Sequence, residues 1–453
     1  MNILFIQHPI QDFYNTRFRE YPLGLLYLAA ALKNNKELNV NILDARYCSK
    51  PKVIPVPSEL KYLERYYTKS NELFLNYKHF GMSFDEIRSK IKGLRPDVVC
   101  INVMFTTYNA QALQTAAIVK EVCPNCMVIA GGYHATVASK ELLSSGCIDV
   151  VVRGEGEEIL ARMLNNRNIE RSKGTIVDSN GSPFIVDDLD SLSFPARELL
   201  DPTKYTFNKR PYTMLLTSRG CPNSCVFCSV HSMAGHGYRA RDISKVLEEI
   251  DECYKKYGIE AFDLQDDNLL FDPQRMKRLL DGIMSKYGKK KFDLLASNGL
   301  NSSNLDPELL GLMKDAGFKK LDISLATGAV PYRDGLKRPE TIVQYESLLE
   351  SAVSMGFDVT TYVIIGLPEQ PLDEIKQTLE YLMGKKTLIS PSVFYNVPGM
   401  PIYNEMKKYE RLDLDIARRS TAFNSRGRDF EPDDIFNVFR QIRRHNLNKQ
   451  AFL

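Results

Sequence analysis

Short apolar runs of β-branched character recur along the first third of the chain. Each is followed by a stretch whose apolar residues return every three or four positions. The runs predict strands at residues 2–6, 39–43, 97–102, 127–130 and 149–152. Between them, Pro22 opens a helix with Leu25, Ala29 and Leu32 on one face. Ser83, with Glu86 three residues on, forms a capping box that leads into Ile87, Ile91 and Leu94. Strand–helix alternation of this kind implies an α/β fold with a parallel, doubly wound, Rossmann-like sheet, whose ligands sit beyond the carboxyl ends of the strands.

The alternation resumes at Thr213 with a longer helix each time. Strands are predicted at 213–217, 261–265, 292–296, 320–325, 359–365 and 392–396, all but the last followed by a helix. Asp242 reads as an N-cap; Ile243, Val246, Leu247, Ile250, Cys253 and Tyr254 then share one face, and Gly258 stops the helix. Six such units make an open, partial (β/α)6 barrel of the TIM type, with its active site at the strand carboxyl ends. An insertion over 45–80 carries a predicted amphipathic helix at 58–77, either a cap over the ligand or a solvated decoration. Residues 169–210 read as a linker, with a small hairpin signal in Gly174-Thr175-Ile176-Val177 and Ser179-Asn180-Gly181-Ser182. Past Tyr403, mixed charges and Phe423, Phe430, Phe436 and Phe439 predict a short helical extension. The expected division is a wound domain over 1–168, a linker over 169–210, a barrel over 211–403 and an extension over 404–453.

Composition narrows the setting. A chain of 453 residues suits two or three domains, and 44% apolar with 25% charged residues is ordinary for a globular protein. A formal net charge of +3 makes no electrostatic case for a nucleic-acid partner. No apolar run approaches a membrane span, and Met1-Asn2-Ile3-Leu4-Phe5-Ile6 lacks the basic flank and cleavage site of a signal peptide. Nine cysteines in so long a chain do not make a disulfide framework and point to a reducing cytoplasm. No G-x-G-x-x-G follows the first strand, so a dinucleotide is not expected.

Three cysteines carry the strongest chemical signal. Cys221, Cys225 and Cys228 lie in Ser218-Arg219-Gly220-Cys221-Pro222-Asn223-Ser224-Cys225-Val226-Phe227-Cys228. The C-x3-C-x2-C spacing lets one loop hold three corners of a four-iron, four-sulfur cube, and no fourth cysteine follows at ligand spacing. A pure electron carrier would close the fourth iron with a thiolate; an open iron invites a small molecule to chelate it. The competing uses are a partial zinc site or three core thiols. Zinc knots pair two C-x2-C units, and the one other such unit, Cys123-Pro124-Asn125-Cys126, has no partner and reads as structural. Cys48, Cys100, Cys147 and Cys253 read as buried small hydrophobes.

That spacing, with the aromatic Phe227 before the third cysteine, resembles the radical S-adenosylmethionine (SAM) enzymes. The resemblance implies that SAM chelates the open iron and that an electron from the [4Fe-4S] cluster splits it into methionine and a 5′-deoxyadenosyl radical. It also implies cofactor-binding roles at the barrel strand ends: Asp266 and Asp267 after the second strand, Ser297 after the third, Ser324 and Thr327 at the fourth, Gly366 at the fifth. Two departures stand out. Where the family commonly reads Glu-Ser-Gly, this chain has Ala326-Thr327-Gly328, and where it reads Gly-Leu-Pro-Gly-Glu, this chain has Gly366-Leu367-Pro368-Glu369-Gln370. Two carboxylates are therefore missing or shifted. His231, His236 and Tyr238-Arg239-Ala240-Arg241 are candidates for facing the substrate or SAM, with Arg241 equally an anchor of the helix start.

The first-domain loops Asn102-Val103-Met104-Phe105-Thr106-Thr107, Gly131-Gly132-Tyr133-His134-Ala135-Thr136 and Arg153-Gly154-Glu155-Gly156-Glu157 resemble the cobalamin-binding domain found ahead of many radical SAM cores. By that resemblance Asn102, Thr106, Thr107, Gly131, Gly132, Tyr133, His134, Gly154 and Glu155 bind the corrin and its nucleotide tail, the glycines letting the backbone approach. The D-x-H-x-x-G motif that supplies a cobalt ligand elsewhere is absent, and His8 lies in the first loop at the wrong spacing.

Together the resemblances imply a cobalamin-dependent methyltransferase. One SAM methylates the reduced cobalt, a second yields the radical that strips hydrogen from an unactivated carbon, and the substrate radical takes methyl from methylcobalamin. The alternatives are a cobalamin-free or non-methylating radical enzyme for ring closure, C–C coupling or rearrangement, and a non-enzymatic cobalamin or iron–sulfur sensor. An RNA methylthiotransferase is disfavoured, since the first domain lacks a second set of cluster cysteines. Expected partners are a small-molecule, lipid or peptide substrate and an external reductant such as flavodoxin or ferredoxin, in an anaerobic cytoplasmic setting without nucleic acid or a membrane span.

Overall fold

Alternation along the first strands sorts their side chains onto two faces, and both are covered. In the computed structural model, which describes residues 1–16, 21–47, 50–66, 76–165, 174–328, 335–367 and 369–450, Cys48 and Pro368 lie outside the described residues. The wound sheet comprises β1 (Asn2–Gln7), β2 (Asn39–Asp44), β3 (Val98–Asn102), β4 (Met127–Gly131), β5 (Val150–Val152) and β6 (Thr175–Val177). All pairs are parallel and the order is β2-β1-β3-β4-β5-β6. Ile3 and Phe5 pack with Leu25, Ala29 and Leu32 of α1 (Leu23–Leu32). Leu4 and Ile6 pack on the other side with Ile87 and Ile91 of α2 (Phe84–Leu94) and Ala112, Ala116 and Val119 of α3 (Asn109–Val122). The capping box forms as predicted: Ser83 Oγ accepts from Glu86 N and Glu86 Oε2 accepts from Ser83 N. A short helix, α4 (Tyr133–Val137), follows β4 directly.

The hairpin expected in the linker needs correction. Asn180 and Gly181 do make a tight turn, with φ of 51° and 88° and a bridge between Ser179 and Ser182. The strand before it, however, runs parallel to β5 and becomes the sixth strand of the wound sheet. Without it, β5 would present an open edge.

The barrel strands are β7 (Arg210–Leu215), β8 (Ala261–Leu264), β9 (Asp293–Leu295), β10 (Lys320–Ser324), β11 (Asp358–Ile365) and β12 (Leu388–Val393). They neighbour one another in chain order, all parallel, with β9 and β10 linked through a Leu294–Phe318 bridge. After β7 come α5 (His231–Ala234) and α6 (Ile243–Tyr257); Asp242 caps α6 through Ser244 N at 2.7 Å, and Gly258 ends it at φ 66°. The last strand begins four residues before its predicted start. Pro391 argues against a strand there, but β12 is the free edge of its sheet, where a missing N–H is tolerated.

The insertion and the tail find each other. In place of the predicted α-helix, a 3-10 helix covers Ser58–Tyr66, and residues 67–75 of that expectation lie outside the described residues. Leu60, Leu63, Tyr66 and Tyr77 join the barrel's apolar core. Tyr66 stacks on Phe436 at 4.1 Å, and Tyr62 Oη donates to the carbonyl of Ala422 at 2.5 Å. Helices at Pro273–Tyr287, Pro307–Ala316 and Ile342–Ser354 follow β8, β9 and β10, and the barrel side also carries α7 (Leu372–Met383) and the tail helix α8 (Pro432–Gln450), which packs on α7 and β12. Among the described residues no helix is long and apolar enough to cross a membrane.

Candidate active site

The cluster loop leaves the carboxyl end of β7 through a narrow neck. Ser218–Arg219 pairs antiparallel with Arg239–Ala240, which sets Arg219 opposite Arg239. Gly220 follows at φ 83°, and a Cβ there would lie 2.2 Å from the carbonyl oxygen of Gly237, so only glycine passes. Asp266 and Asp267, expected at the cofactor, fasten this loop. Asp266 is 2% exposed and accepts from Thr217 N (2.8 Å), Thr217 Oγ1 (2.6 Å) and Ser218 Oγ. Asp267 Oδ2 accepts from Gly220 N at 2.7 Å. The acidic pair at the end of β8 is thus spent on holding the loop root, because that root brings buried donors that need acceptors.

Within the loop Cys225 is buried, and Cys221 and Cys228 are partly so. Burial pushes the Cys228 thiol up to about 11 and also raises Cys225, which the Arg338 guanidinium pulls back. Arg338 Nη1 lies 3.8 Å from Cys225 Sγ and the guanidinium sits over the Phe227 ring at 6.0 Å. Its other contacts, buried Glu340 at 2.7 Å and Ser324 Oγ at 2.9 Å, hold it in place. Asn268 Nδ2 donates to Cys221 Sγ at 3.5 Å. N–H donors aimed at cysteine sulfurs suit cluster thiolates, whose lone pairs accept them. Among the described residues no group of three or more His, Cys, Asp or Glu converges to hold a single metal ion. Thiolates that each take a different iron of a cube have no need to converge.

The remaining barrel strand ends are tied together by buried hydrogen bonds. Ser297 donates Oγ to Asp263 at 2.6 Å and accepts Gln265 Nε2 at 2.7 Å. Ser324 is held by Arg338. At the two atypical motifs, Gln370 Oε1 accepts the backbone N–H groups of Gly366 (3.1 Å) and Leu367 (3.3 Å), and its Nε2 donates to Glu374 at 2.5 Å. Glu374, one turn along α7, also accepts from Thr378 Oγ1 at 2.6 Å and from Thr327. Thr327 is therefore committed to a buried network, and Glu374 is the carboxylate that remains beneath these strand ends. Asn268, in the strand-end run with Asp266 and Asp267, and Gln370, in the atypical fifth-strand motif, were within the motifs the sequence offers; Arg338 and Glu374 were missed, and Arg338 meets Cys225 across a separation no local pattern encodes.

The carboxyl edge of the wound sheet faces this loop. α5, just past Cys228, packs on α4, with Thr136 Oγ1 donating to Met233 Sδ at 3.5 Å. Tyr133 Oη donates to the carbonyl of Pro398 at 2.6 Å. Gly132 has φ 105°, and a Cβ there would lie 2.8 Å from Asn102 Oδ1; at Gly131 a Cβ would meet nothing nearer than 3.9 Å. His134 is wholly buried, its Nδ1 3.0 Å from Thr106 Oγ1 and its Nε2 without a hydrogen-bond partner, 3.8 Å from Asp415 Oδ2. Burial lowers its pKa, against the opposing pull of the Asp415 carboxylate. The open space at Gly131 and a buried nitrogen without a hydrogen-bond partner fit a broad, polar-edged ligand such as a corrin, while Gly132 admits the Asn102-Val103 backbone. The tail reaches this edge too: Thr107 Oγ1 lies 3.5 Å from the carbonyl of Ile416, and Arg419 Nη2 donates to the carbonyl of Thr107 at 3.3 Å.

Gly154 and Glu155, expected beside the corrin, pack on the segment after β6 and on the neck of the cluster loop. A Cβ on Gly154 (φ 85°) would lie 2.2 Å from the carbonyl oxygen of Phe184, so this glycine admits the chain leaving β6. The Glu155 carboxylate is taken by Arg239, Arg219 and Val186 N.

The family profile for the B12 binding domain matches residues 14–164, and that for the Radical SAM superfamily matches residues 215–382. The chain is 27% identical over 313 residues to an uncharacterized methyltransferase of Pyrococcus horikoshii, covering 66% of this chain and 67% of that one. It is 26% identical over 408 residues to the cytidylyl-2-hydroxyethylphosphonate methyltransferase of Streptomyces wedmorensis, covering 80% and 73%. To the anaerobic magnesium-protoporphyrin IX monomethyl ester cyclase of Rubrivivax gelatinosus it is 27% identical over 330 residues, covering 68% and 57%. Its fold is similar to that of TsrM from Kitasatospora setae, a radical SAM methyltransferase with cobalamin and a [4Fe-4S] cluster bound, at TM-score 0.63 and 15% identity over 90% of this chain and 74% of that one. With a B12 binding domain set strand-end to strand-end against a radical SAM core, the chain belongs to the cobalamin-binding-domain radical SAM enzymes, whose cofactors are a [4Fe-4S] cluster, S-adenosylmethionine and cobalamin.

Proposed function

We propose that this enzyme methylates an unactivated carbon of a small-molecule, lipid or peptide substrate, with Cys221, Cys225 and Cys228 holding the cluster. The observation that carries the reading is the packing of α5, at the end of the cluster loop, on α4, at the corrin edge. A substrate carbon can meet both the radical source and the methyl source only if those two edges share one chamber. When bound, the cluster supplies the electron that cleaves SAM and the corrin supplies the methyl group. The protein's part is orientation: Asn268 and Arg338 direct N–H groups at the cysteine sulfurs, Gln370 fixes the Gly366-Leu367 backbone, and the tail over Thr107 covers the corrin edge. In domain terms we assign Thr175–Val177 to the wound domain and keep the barrel and extension as the sequence divides them. The electron comes from an external flavodoxin or ferredoxin in a reducing cytoplasm.

A second reading, ring closure without methyl transfer, is favoured by the likeness to the Rubrivivax gelatinosus cyclase. Anaerobic production with cobalamin, iron and corrin analysis, and then turnover with methyl-labelled SAM separate the two, since only methyl transfer moves the label out of SAM. Methyl transfer requires about four irons and about one corrin per chain, with corrin but not iron lost in Gly131→Val, which fills open space at the strand end. Four irons and released 5′-deoxyadenosine without corrin would sink the methyl-transfer reading.

A further inference from the structure

The acid that joins the two domains stands at the neck of the cluster loop. Glu155 accepts from both terminal nitrogens of Arg239, at 2.8 Å each, and lies 3.5 Å from Arg219 Nη1. Its Oε2 also accepts Val186 N at 2.6 Å. Glu157, two residues on, takes the other terminal nitrogen of Arg219 at 2.7 Å. Arg219 and Arg239 oppose each other across the ribbon that closes the loop, so their charges would repel without an acid between them. The Arg219 and Glu155 side chains are only 12% and 5% exposed, where solvent screens little. A forked arginine–carboxylate pair fixes orientation as well as distance, and Arg219 is two residues from Cys221.

We propose that Glu155 is a positioning residue that locks the iron–sulfur loop to the corrin domain, and so sets where the cluster stands and how SAM meets its open iron. The proposal rests on the assignment of the cluster to the three cysteines. Removing the carboxylate acts in two ways. Arg239 loses its counter-charge and Arg219 keeps only Glu157, so the positive charge beside the cluster loop rises, which favours the cluster's more negative reduced form and raises its potential. The neck is also released from Val186 and from the end of β5, so the open iron moves relative to the barrel strand ends that hold SAM.

The test uses the full chain with reconstituted cluster, as the native protein, Glu155→Gln, and the charge-swapped pair Glu155→Arg with Arg239→Glu. Iron content is checked first. The midpoint potential and the change in the reduced cluster's EPR signal on adding SAM are then titrated. Glu155→Gln is expected to keep its iron, shift to a higher potential and need about tenfold more SAM for the same spectral change. The swapped pair is expected to return the SAM titration to within about threefold of native. A Glu155→Gln protein that matches the native one in both titrations overturns the proposal, since a role in stability alone moves neither. If Glu155→Gln loses its iron, the swapped pair decides: regained iron and SAM response support the lock, and continued loss overturns it. A native cluster whose signal ignores SAM would overturn the cluster reading itself, and the lock with it.

Discussion

At the scale of single residues, the site's electrostatics follow from burial. His8 sits directly after β1, 1% exposed, with Nδ1 2.8 Å from the carbonyl of Pro9. Burial, with the Arg46 charge nearby, lowers its pKa to about 3. An unfolded chain protonates this histidine near its ordinary value of 6.5, while the native protein refuses the proton until about 3. Stability therefore falls as pH falls through that window, by up to about 1.4 kcal/mol per pH unit from this residue. Urea unfolding at pH 7 and pH 5 checks this: His8→Gln should flatten the acid limb, and an equally steep limb in the variant would refute the assignment. The cysteine constellation was legible because all three thiols lie within eight residues of sequence. Asp266, Asp267 and Glu155 were legible as positions, while their hydrogen bonds to the neck of the loop were not. A carboxylate beside a cofactor and a carboxylate fastening a cofactor loop share one pattern, and only the location of Thr217, Gly220 and Arg239 separates them.

At the scale of elements, local chemistry and long-range packing divide what the sequence discloses. The Ser83–Glu86 box, the Asp242 cap and the Gly258 stop are contained in a few neighbouring residues, and each forms as read. The parallel seat of β6, the edge position of β12 and the 3-10 form of Ser58–Tyr66 depend on partners far along the chain. Two variants probe these levels. Gly220→Ala places a Cβ 2.2 Å from the Gly237 carbonyl at a φ of 83°, a strain of about 1–3 kcal/mol. The neck should open and iron per chain should fall while far-ultraviolet circular dichroism is retained; full iron would show the neck to be tolerant. Phe436→Ala removes a buried ring stacked on Tyr66, with Phe423 beside it. It should cost about 3–5 kcal/mol, read as a lower urea midpoint; a change below about 1 kcal/mol would mean that the insertion and tail are not coupled as described.

At the scale of the whole molecule, two parallel sheets meet at their carboxyl ends, and the parts that join them are chemical parts as well. The neck of the cluster loop is held by the wound domain through Glu155 and Glu157. The tail, which sequence pattern reads as a helical addition to the barrel, crosses back to Thr107 and to Gln11, whose carbonyl accepts from Arg419 at 2.9 Å. A cofactor edge on each side of one interface is an arrangement for moving a group between them, and methyl transfer through the corrin is the central claim. The most direct measurement is to reduce the fully loaded protein with methyl-labelled SAM and follow the label. Label is expected in the corrin fraction together with released 5′-deoxyadenosine, the nucleoside lost in Cys225→Ser and the corrin label lost in Gly131→Val. Deoxyadenosine released from a corrin-loaded protein whose corrin stays unlabelled would contradict it.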